Sequence, residues 1–223
     1  MTTKTQTIAE SRRTFLPAAG HDLFLPLYDP FVKLLGGDRA RAALLDQAEL
    51  RPGHKALDIG CGTGTFVTLI KRLHPSVEVV GLDPDPKALA RAASKAKREG
   101  LAIRFDQAFA DALPYPDASF DRVFSSFMFH HLPAEGKEPT LREVRRVLKS
   151  GGSFHMLDFG GPGAGGHGWW ARLVHSHERL KDNAEAHVLT LMTRAGFADA
   201  KTVGQRGMLF GRVIYYAAIA PVS

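Results

Sequence analysis

From residue 53 onward, short apolar runs alternate with amphipathic segments, and this alternation narrows the possible folds more than any other feature. "KALDIG" is a buried strand ending at Gly60, and "GTFVTLIKRLH" spaces Phe66, Val67, Leu69, Ile70 and Leu73 as a helix that stops before Pro75. "VEVVGLD" is a second strand. The next helix is capped by Asp85, opened by Pro86 and stopped at Gly100. "LAIRFDQAFA" and "FDRVFSSFMF" supply a third and a fourth strand, "PTLREVRRVLKSGG" a helix opened by Pro and closed by Gly, and "SFHMLDF" a fifth strand. Strand and helix alternating at this spacing predict an α/β fold with a mostly parallel sheet and helices on both faces. "NAEAHVLTLMTRAGF" reads as a helix. "ADAKTVGQRG" and "GRVIYYAAIA" follow as two strands with no helix between them, a hairpin that puts an antiparallel strand at the sheet's edge. Residues 51–223 form one domain. Residues 1–50, apolar but broken by Pro26 and Pro30, form a helical cover over its ligand end.

In such sheets ligands sit beyond the carboxyl ends of the strands, near the topological switch point. The residues just after each strand are therefore the informative ones. Gly60, Gly62 and Gly64 follow the first strand as G-x-G-x-G and let the backbone lie against a ligand. The spacing differs from the dinucleotide G-x-G-x-x-G. Asp83 ends the second strand, 19 residues after Gly64, where an acid suits the two hydroxyls of a ribose or else caps the next helix. Asp111 follows the third strand and suits an adenine amine or else a turn. Asp58 separates the candidate ligands. Beside a pyrophosphate it is repelled, whereas S-adenosylmethionine carries an ammonium and a sulfonium and no phosphate.

"LDIGCGTG", "VVGLDPDP", "FADALPYPDASFDRVFSSFMFHHL" and "EVRRVLKSGGSFHMLDF" resemble the successive motifs of class I S-adenosylmethionine-dependent methyltransferases across residues 53–160, about half the chain. Within that superfamily the chain is most similar to the ubiquinone/menaquinone C-methyltransferase-like group. The resemblance implies a Rossmann-like sheet of seven strands with the last antiparallel. It assigns Asp58 to the methionine ammonium, the turn Gly60-Cys61-Gly62 and Gly64 to the methionine and ribose, and Asp83 to the ribose hydroxyls. Pro84 then packs near the adenine, Asp111 and the Ala112 backbone read its edge, and Ser126 offers a carbonyl. It implies methyl transfer to a small acceptor, with S-adenosylhomocysteine as product.

Transfer from a sulfonium is chiefly a matter of alignment, and a base is needed only where the nucleophile must lose a proton. The candidates are His131 and His130, in "FMFHHLP", with His131 slightly favoured and one of the pair structural. Tyr28 either closes over the methyl site or is a core aromatic of the cover, and Asp158 is either a base or a loop cap. The glycine-rich stretch from Phe159 to Trp170 either gates the substrate or merely connects, and Trp169 and Trp170 either stack on an aromatic acceptor, touch a membrane or pack a helix. These features and the apolar cover point to a hydrophobic or aromatic acceptor. His175, His177, Glu178 and His187 lack metal-ligand spacing, so no metal is expected.

The formal net charge of +6 raises nucleic acid as a partner, but the basic residues recur as solvated helix faces such as Lys87, Arg91 and Lys95. Strand four ends in "SSFMFHH" rather than a base-methylating motif, which argues against a nucleic-acid methyltransferase. The alternatives are a nucleic-acid or protein methyltransferase and a non-catalytic S-adenosylmethionine-binding protein. The single cysteine excludes an internal disulfide, and no apolar run reaches the roughly 18 residues of a membrane span. A cytoplasmic protein, with peripheral membrane contact left open, is expected.

Overall fold

The computed structural model describes residues 37–160, 184–208 and 211–222. Their elements run α1 (Gly37–Asp46), β1 (Lys55–Ile59), α2 (Thr65–Leu73), β2 (Glu78–Asp83), α3 (Pro86–Arg98), β3 (Arg104–Gln107), β4 (Phe120–Ser126), α4 (Ala134–Val147), β5 (Leu148–Phe159), α5 (Glu185–Arg194), β6 (Ala198–Met208) and β7 (Gly211–Ile219). One 3-10 turn, Phe129–His131, follows β4.

The strands form one seven-stranded sheet in the order β3-β2-β1-β4-β5-β7-β6. The pairs from β3 through β5 are parallel, and β7 is antiparallel to both β5 and β6. The C-terminal hairpin is at the edge, as expected, but its antiparallel strand lies one place inside it, with β6 outermost. The strand order reverses between β1 and β4, so the switch point lies where β1 ends beside β4.

Alternation along each strand sorts side chains into two cores. Leu57, Ile59, Val80, Leu82, Val123, Phe154 and Met156 pack with α4 and α5. Ala56, Val79, Phe124 and Leu157 pack on the other face with Ala40, Leu44 and Leu45 of α1 and Phe66, Val67 and Ile70 of α2. By the same period of two, Asp58 and Asp83 project on the α1/α2 face and Asp158 on the α4/α5 face.

The helix ends follow local chemistry. The Asp85 carboxylate accepts from Lys87 N at 2.8 Å with Pro86 opening α3, and Gly100 turns the chain at φ 66°. Several expected bounds change, among them β4, which stops at Ser126 and leaves Phe129 to the 3-10 turn. Helix α4 begins at Ala134, after Pro133, and holds Pro139 inside it rather than at its start. Pro139 forfeits one early helical hydrogen bond, while Leu141, Val144 and Val147 beyond it are fully buried and hold the helix in place. Strand β5 begins at Leu148 rather than Ser153, because Leu148 pairs with Phe120 before a register shift. Strand β3 stops at Gln107, leaving Ala108, Phe109 and Ala110 in the loop that carries Asp111. Residues 1–36, with Tyr28 and most of the expected cover, and residues 161–183, with Trp169, Trp170, His175, His177 and Glu178, lie outside the described residues.

Candidate active site at the switch point

The turn after β1 is tied to β2 by its own backbone. Gly60 N and Cys61 N both donate to Leu82 O, at 2.7 and 2.9 Å. Gly62 N donates to Asp83 Oδ2 at 2.8 Å, and Asp85 N to Asp83 Oδ1 at 2.9 Å. Asp83 thus clamps the glycine turn and the start of α3 at once. Burial pushes its carboxyl upward, while the two backbone N–H groups pull it back. Each oxygen keeps lone-pair capacity beyond the one bond it accepts.

The three glycines have left-handed backbones, with φ of 70°, 52° and 79°. Their surroundings differ. A Cβ at Gly60 would lie 2.2 Å from Met128 Cγ, and one at Gly64 would lie 2.7 Å from the Ala92 Cβ. Those two glycines allow close packing of β1 against the β4 loop and of α2 against α3. A Cβ at Gly62 would meet no described residue within 4 Å, so among the described residues this glycine borders open space. The Cys61 side chain lies over Gly81 in the core, where a Cβ on Gly81 would meet Sγ at 2.9 Å. Only the Cys61 backbone can face a ligand.

Beneath this turn lies Asp58, 1% exposed, with neither carboxylate oxygen hydrogen-bonded. Burial pushes its carboxyl up to about 8, Arg41 opposes the rise and Asp83 adds to it. A buried acid without partners is costly. Asp58 is therefore placed to receive a cation.

Pro84 is half-buried, and its carbonyl accepts from Gln107 Nε2 at 3.1 Å. Asp111 is half-buried and Ala112 exposed on the β3 side of the cleft. The Ala112 N–H is given to Phe109 O at 3.2 Å, so only that turn's opening would free it for a ligand. Ser126 is buried at the end of β4. Phe127, next in the chain, has φ 58°, a strained conformation for a bulky residue and one that turns the chain sharply at the switch point.

Farther along, β4 and β5 bring two candidates together. His130, 3% exposed, has its Nδ1 2.6 Å from Asp158 Oδ1, and its backbone N donates to Asp158 Oδ2 at 3.0 Å. Phe159 N also donates to Asp158 Oδ1, at 2.7 Å. Burial works to raise the Asp158 carboxyl, but the His130 charge, its ring contact and the two backbone donors outweigh it, and Asp158 lies below the usual range. This carboxylate fixes the orientation of the imidazole. His131 is half-buried, its ring centroid 4.0 Å from that of His130. Of the two candidate bases, His130 is the one whose ring lies against the Asp158 carboxylate at 2.6 Å. Phe159 meets the His130 ring edge-on at 5.3 Å, and Phe127 lies 5.3 Å from Phe159, so the surroundings are aromatic.

The sequence reading passed over Arg41, on α1. It is 7% exposed and its guanidinium lies 5.4 Å from the centre of the Phe127 ring. A signal existed, since Arg41 shares a helical face with Leu44 and Leu45, where a charge is out of place.

A family model described as a methyltransferase domain matches residues 56–152. The demethylmenaquinone methyltransferase of Deinococcus radiodurans is 39% identical over 155 residues, covering 68% of this chain and 64% of that protein. The protein of the same name from Thermus thermophilus is 40% identical over 146 residues, covering 64% of this chain and 66% of that protein. The chain thus spans just under two thirds of these curated relatives. The crystal structure of the YcgJ protein of Bacillus subtilis matches with a TM-score of 0.69 at 20% identity, over 83% of this chain and all of that one, a likeness of fold.

Proposed function

The chain belongs to the class I S-adenosylmethionine-dependent methyltransferases, and we propose that it methylates a small hydrophobic acceptor of the aromatic or quinol type. The observation that carries the reading is the unpartnered, buried Asp58 beneath a glycine turn that is open at Gly62. A dinucleotide would set a pyrophosphate beside that acid, whereas an ammonium gives it the charge it lacks.

The chain's residues fit S-adenosylmethionine in an ordered way. Asp58 takes the methionine ammonium, and the backbone from Gly60 through Gly62 lines the ligand. Gly64 supports the site by letting α2 approach α3. Asp83 receives the ribose hydroxyls with the lone pairs left after it has fixed Gly62 and Asp85. Pro84, Asp111 and Ala112 border the adenine, and Ser126 contributes its carbonyl. When bound, the sulfonium supplies an activated methyl group, so the protein's part is alignment and, where needed, removal of one proton. His130 takes that proton and Asp158 holds its ring by Nδ1, the arrangement of a general base with its orienting carboxylate. A base is useful only for an acceptor that loses a proton, such as an aromatic hydroxyl or the activated ring carbon of a quinol. The aromatic surroundings of His130 and the names of the relatives support such an acceptor. No helix among the described residues is long and apolar enough to cross a membrane, and we place the protein in the cytoplasm.

The test is turnover. Given S-adenosylmethionine and a panel of reduced naphthoquinones, phenols, amines and thiols, the protein should release S-adenosylhomocysteine with the first two classes. His130→Ala should lower that turnover about 10²–10⁴-fold while leaving cofactor affinity nearly intact. Turnover confined to amines or thiols would overturn the acceptor, and the absence of calorimetric heat with S-adenosylmethionine would overturn the cofactor.

A further inference from the structure

Strand β7 sets one hydroxyl on the same face of the sheet as Asp158 and leaves it unused. Ile214 and Tyr216 alternate into the core that packs with α4 and α5. Ile214 is in register with Asp158 on β5 and Tyr216 with Met156, so Tyr216 is the diagonal neighbour of Asp158, about 7–8 Å away along the backbone. On its other side Tyr216 is in register with Thr202 of β6, whose Oγ1 donates to Glu185 Oε1 at 2.6 Å at the start of α5. Arg212, on the same face of β7, has its Nη2 3.8 Å from Glu185 Oε2. Tyr216 is 0% exposed, and its hydroxyl has no hydrogen-bond partner among the described residues. Burial raises its phenol, Asp158 and Glu185 add to the rise and Arg212 opposes it, so the hydroxyl lies in the field of all three groups and keeps its proton. The Nε of Arg212 is a second buried donor without a partner among the described residues. Idle donors are uncommon in a folded chain, where nearly all buried polar groups are bonded.

What these donors lack is a hydrogen-bond acceptor, and its charge is constrained. An anionic group would be repelled by Asp158 and Glu185. An ammonium would be repelled by Arg212 and would set donor against donor. A neutral oxygen, of a hydroxyl or a carbonyl, suits all of them. We propose that Tyr216 binds a neutral oxygen of the molecule that receives the methyl group, distinct from the atom that gives its proton to His130. The proposal rests on the function read above and deepens it, because the methylated ring then carries two oxygens and is not a simple phenol. The geometry agrees. Asp158 holds the His130 ring, which follows β4, at 2.6 Å, while Tyr216 lies toward the opposite neighbour, β7. Met156 and Ile214, buried on the same face, make the surface beside Asp158 and Tyr216 apolar. A ring with an oxygen at each end matches that order of polar, apolar and polar. His130, 3% exposed, and Tyr216 are buried alike, so contact with either requires this face to open.

Turnover by the full chain, read as S-adenosylhomocysteine release under reductant, tests this with 1,4-dihydroxynaphthalene and 1-naphthol, which differ by one oxygen. The native protein should use the diol roughly 10–100-fold better in kcat/KM, the range for a buried hydrogen-bond partner gained or lost. Tyr216→Phe, which removes only the hydroxyl, should lose that preference through a raised KM for the diol. It should leave kcat for the diol, and both constants for 1-naphthol, within about twofold. Because the hydroxyl is unpaired, the variant should unfold in urea at the native midpoint or above it. Equal use of the two compounds by the native protein overturns the proposal even if the variant fails to fold, and leaves the hydroxyl to a buried water. A preference that survives in Tyr216→Phe belongs to the diol's own reactivity and overturns it too. Equal losses for both compounds, or a lowered urea midpoint, overturn it as well and make the hydroxyl structural. Native protein that releases product from neither compound brings down the function read above, a failure visible before any variant is made.

Discussion

Asp58 and Asp158 are both fully buried aspartates near the ends of parallel strands, separated in the sheet only by β4. Their environments are opposite. Asp158 accepts from two backbone N–H groups and contacts the His130 ring, and it lies below the usual carboxylate range. Asp58 accepts from nothing and is pushed up to about 8. Burial bears on both alike, and the His130 charge together with the hydrogen bonds decides the outcome. One carboxyl is completed by the chain itself; the other, on the function proposed above, awaits a ligand. The first fixes an imidazole, and the second is the recognition element of the proposed function, buried at a cost in the unliganded chain.

Substitution should separate the two, with the largest effect at Asp158. Asp158→Ala leaves a buried imidazole and two backbone donors without their acceptor and should cost about 3–5 kcal/mol in urea unfolding. Asp58→Asn should leave unliganded stability unchanged or raised, because it removes an unpaired buried acid. It should weaken S-adenosylhomocysteine roughly 10–100-fold in calorimetry. Similar destabilisation by both variants would erase the contrast.

The pH dependence should have opposite signs at the two sites. The folded carboxyl of Asp58 is at about 8 against a usual 3.8, so the folded chain holds an extra proton between those values. Its contribution to stability is fully present below about pH 4 and is lost as pH rises through about 8. Asp58→Asn should therefore flatten a decline in stability across neutral pH, followed by denaturation at fixed ionic strength. Asp158, with its carboxyl lowered, contributes above the usual value and loses that contribution as pH falls through the lowered one. The smallest effect concerns Gly62. Gly62→Ala meets no neighbour within 4 Å and should cost only about 1–2 kcal/mol in unfolding, from its left-handed backbone.

Much of this site was legible in the sequence as positions and little of it as roles. The three glycines were recognisable as a turn, but their equal treatment was misleading. Gly60 and Gly64 are explained by Met128 and Ala92, residues far along the chain, and only Gly62 borders open space. Asp85 was legible as a cap because a cap is completed within two residues. The histidine pair could be found, with His131 slightly favoured, but the carboxylate against the His130 ring lies 28 residues away and left no local signal. Arg41 carried its signal in a charged residue on an apolar helix face, overlooked because the segment was read as a cover. Pro139 misled in the other direction, because tertiary packing of α4 outweighed a local breaker.

The sequence by itself determined the fold and the kind of cofactor, because both are written in local terms. Burial has a period of two in strands and 3.6 in helices, turns demand glycine, and an acid before a glycine turn excludes a phosphate. The tertiary structure alone decided which buried acid has hydrogen-bond partners and which has none, that the His130 ring lies against a carboxylate, and that Arg41 is buried on the α1 face. Those are properties of unlike groups brought within a few ångströms of each other from distant parts of the chain, and the energy of a buried charge depends on what surrounds it.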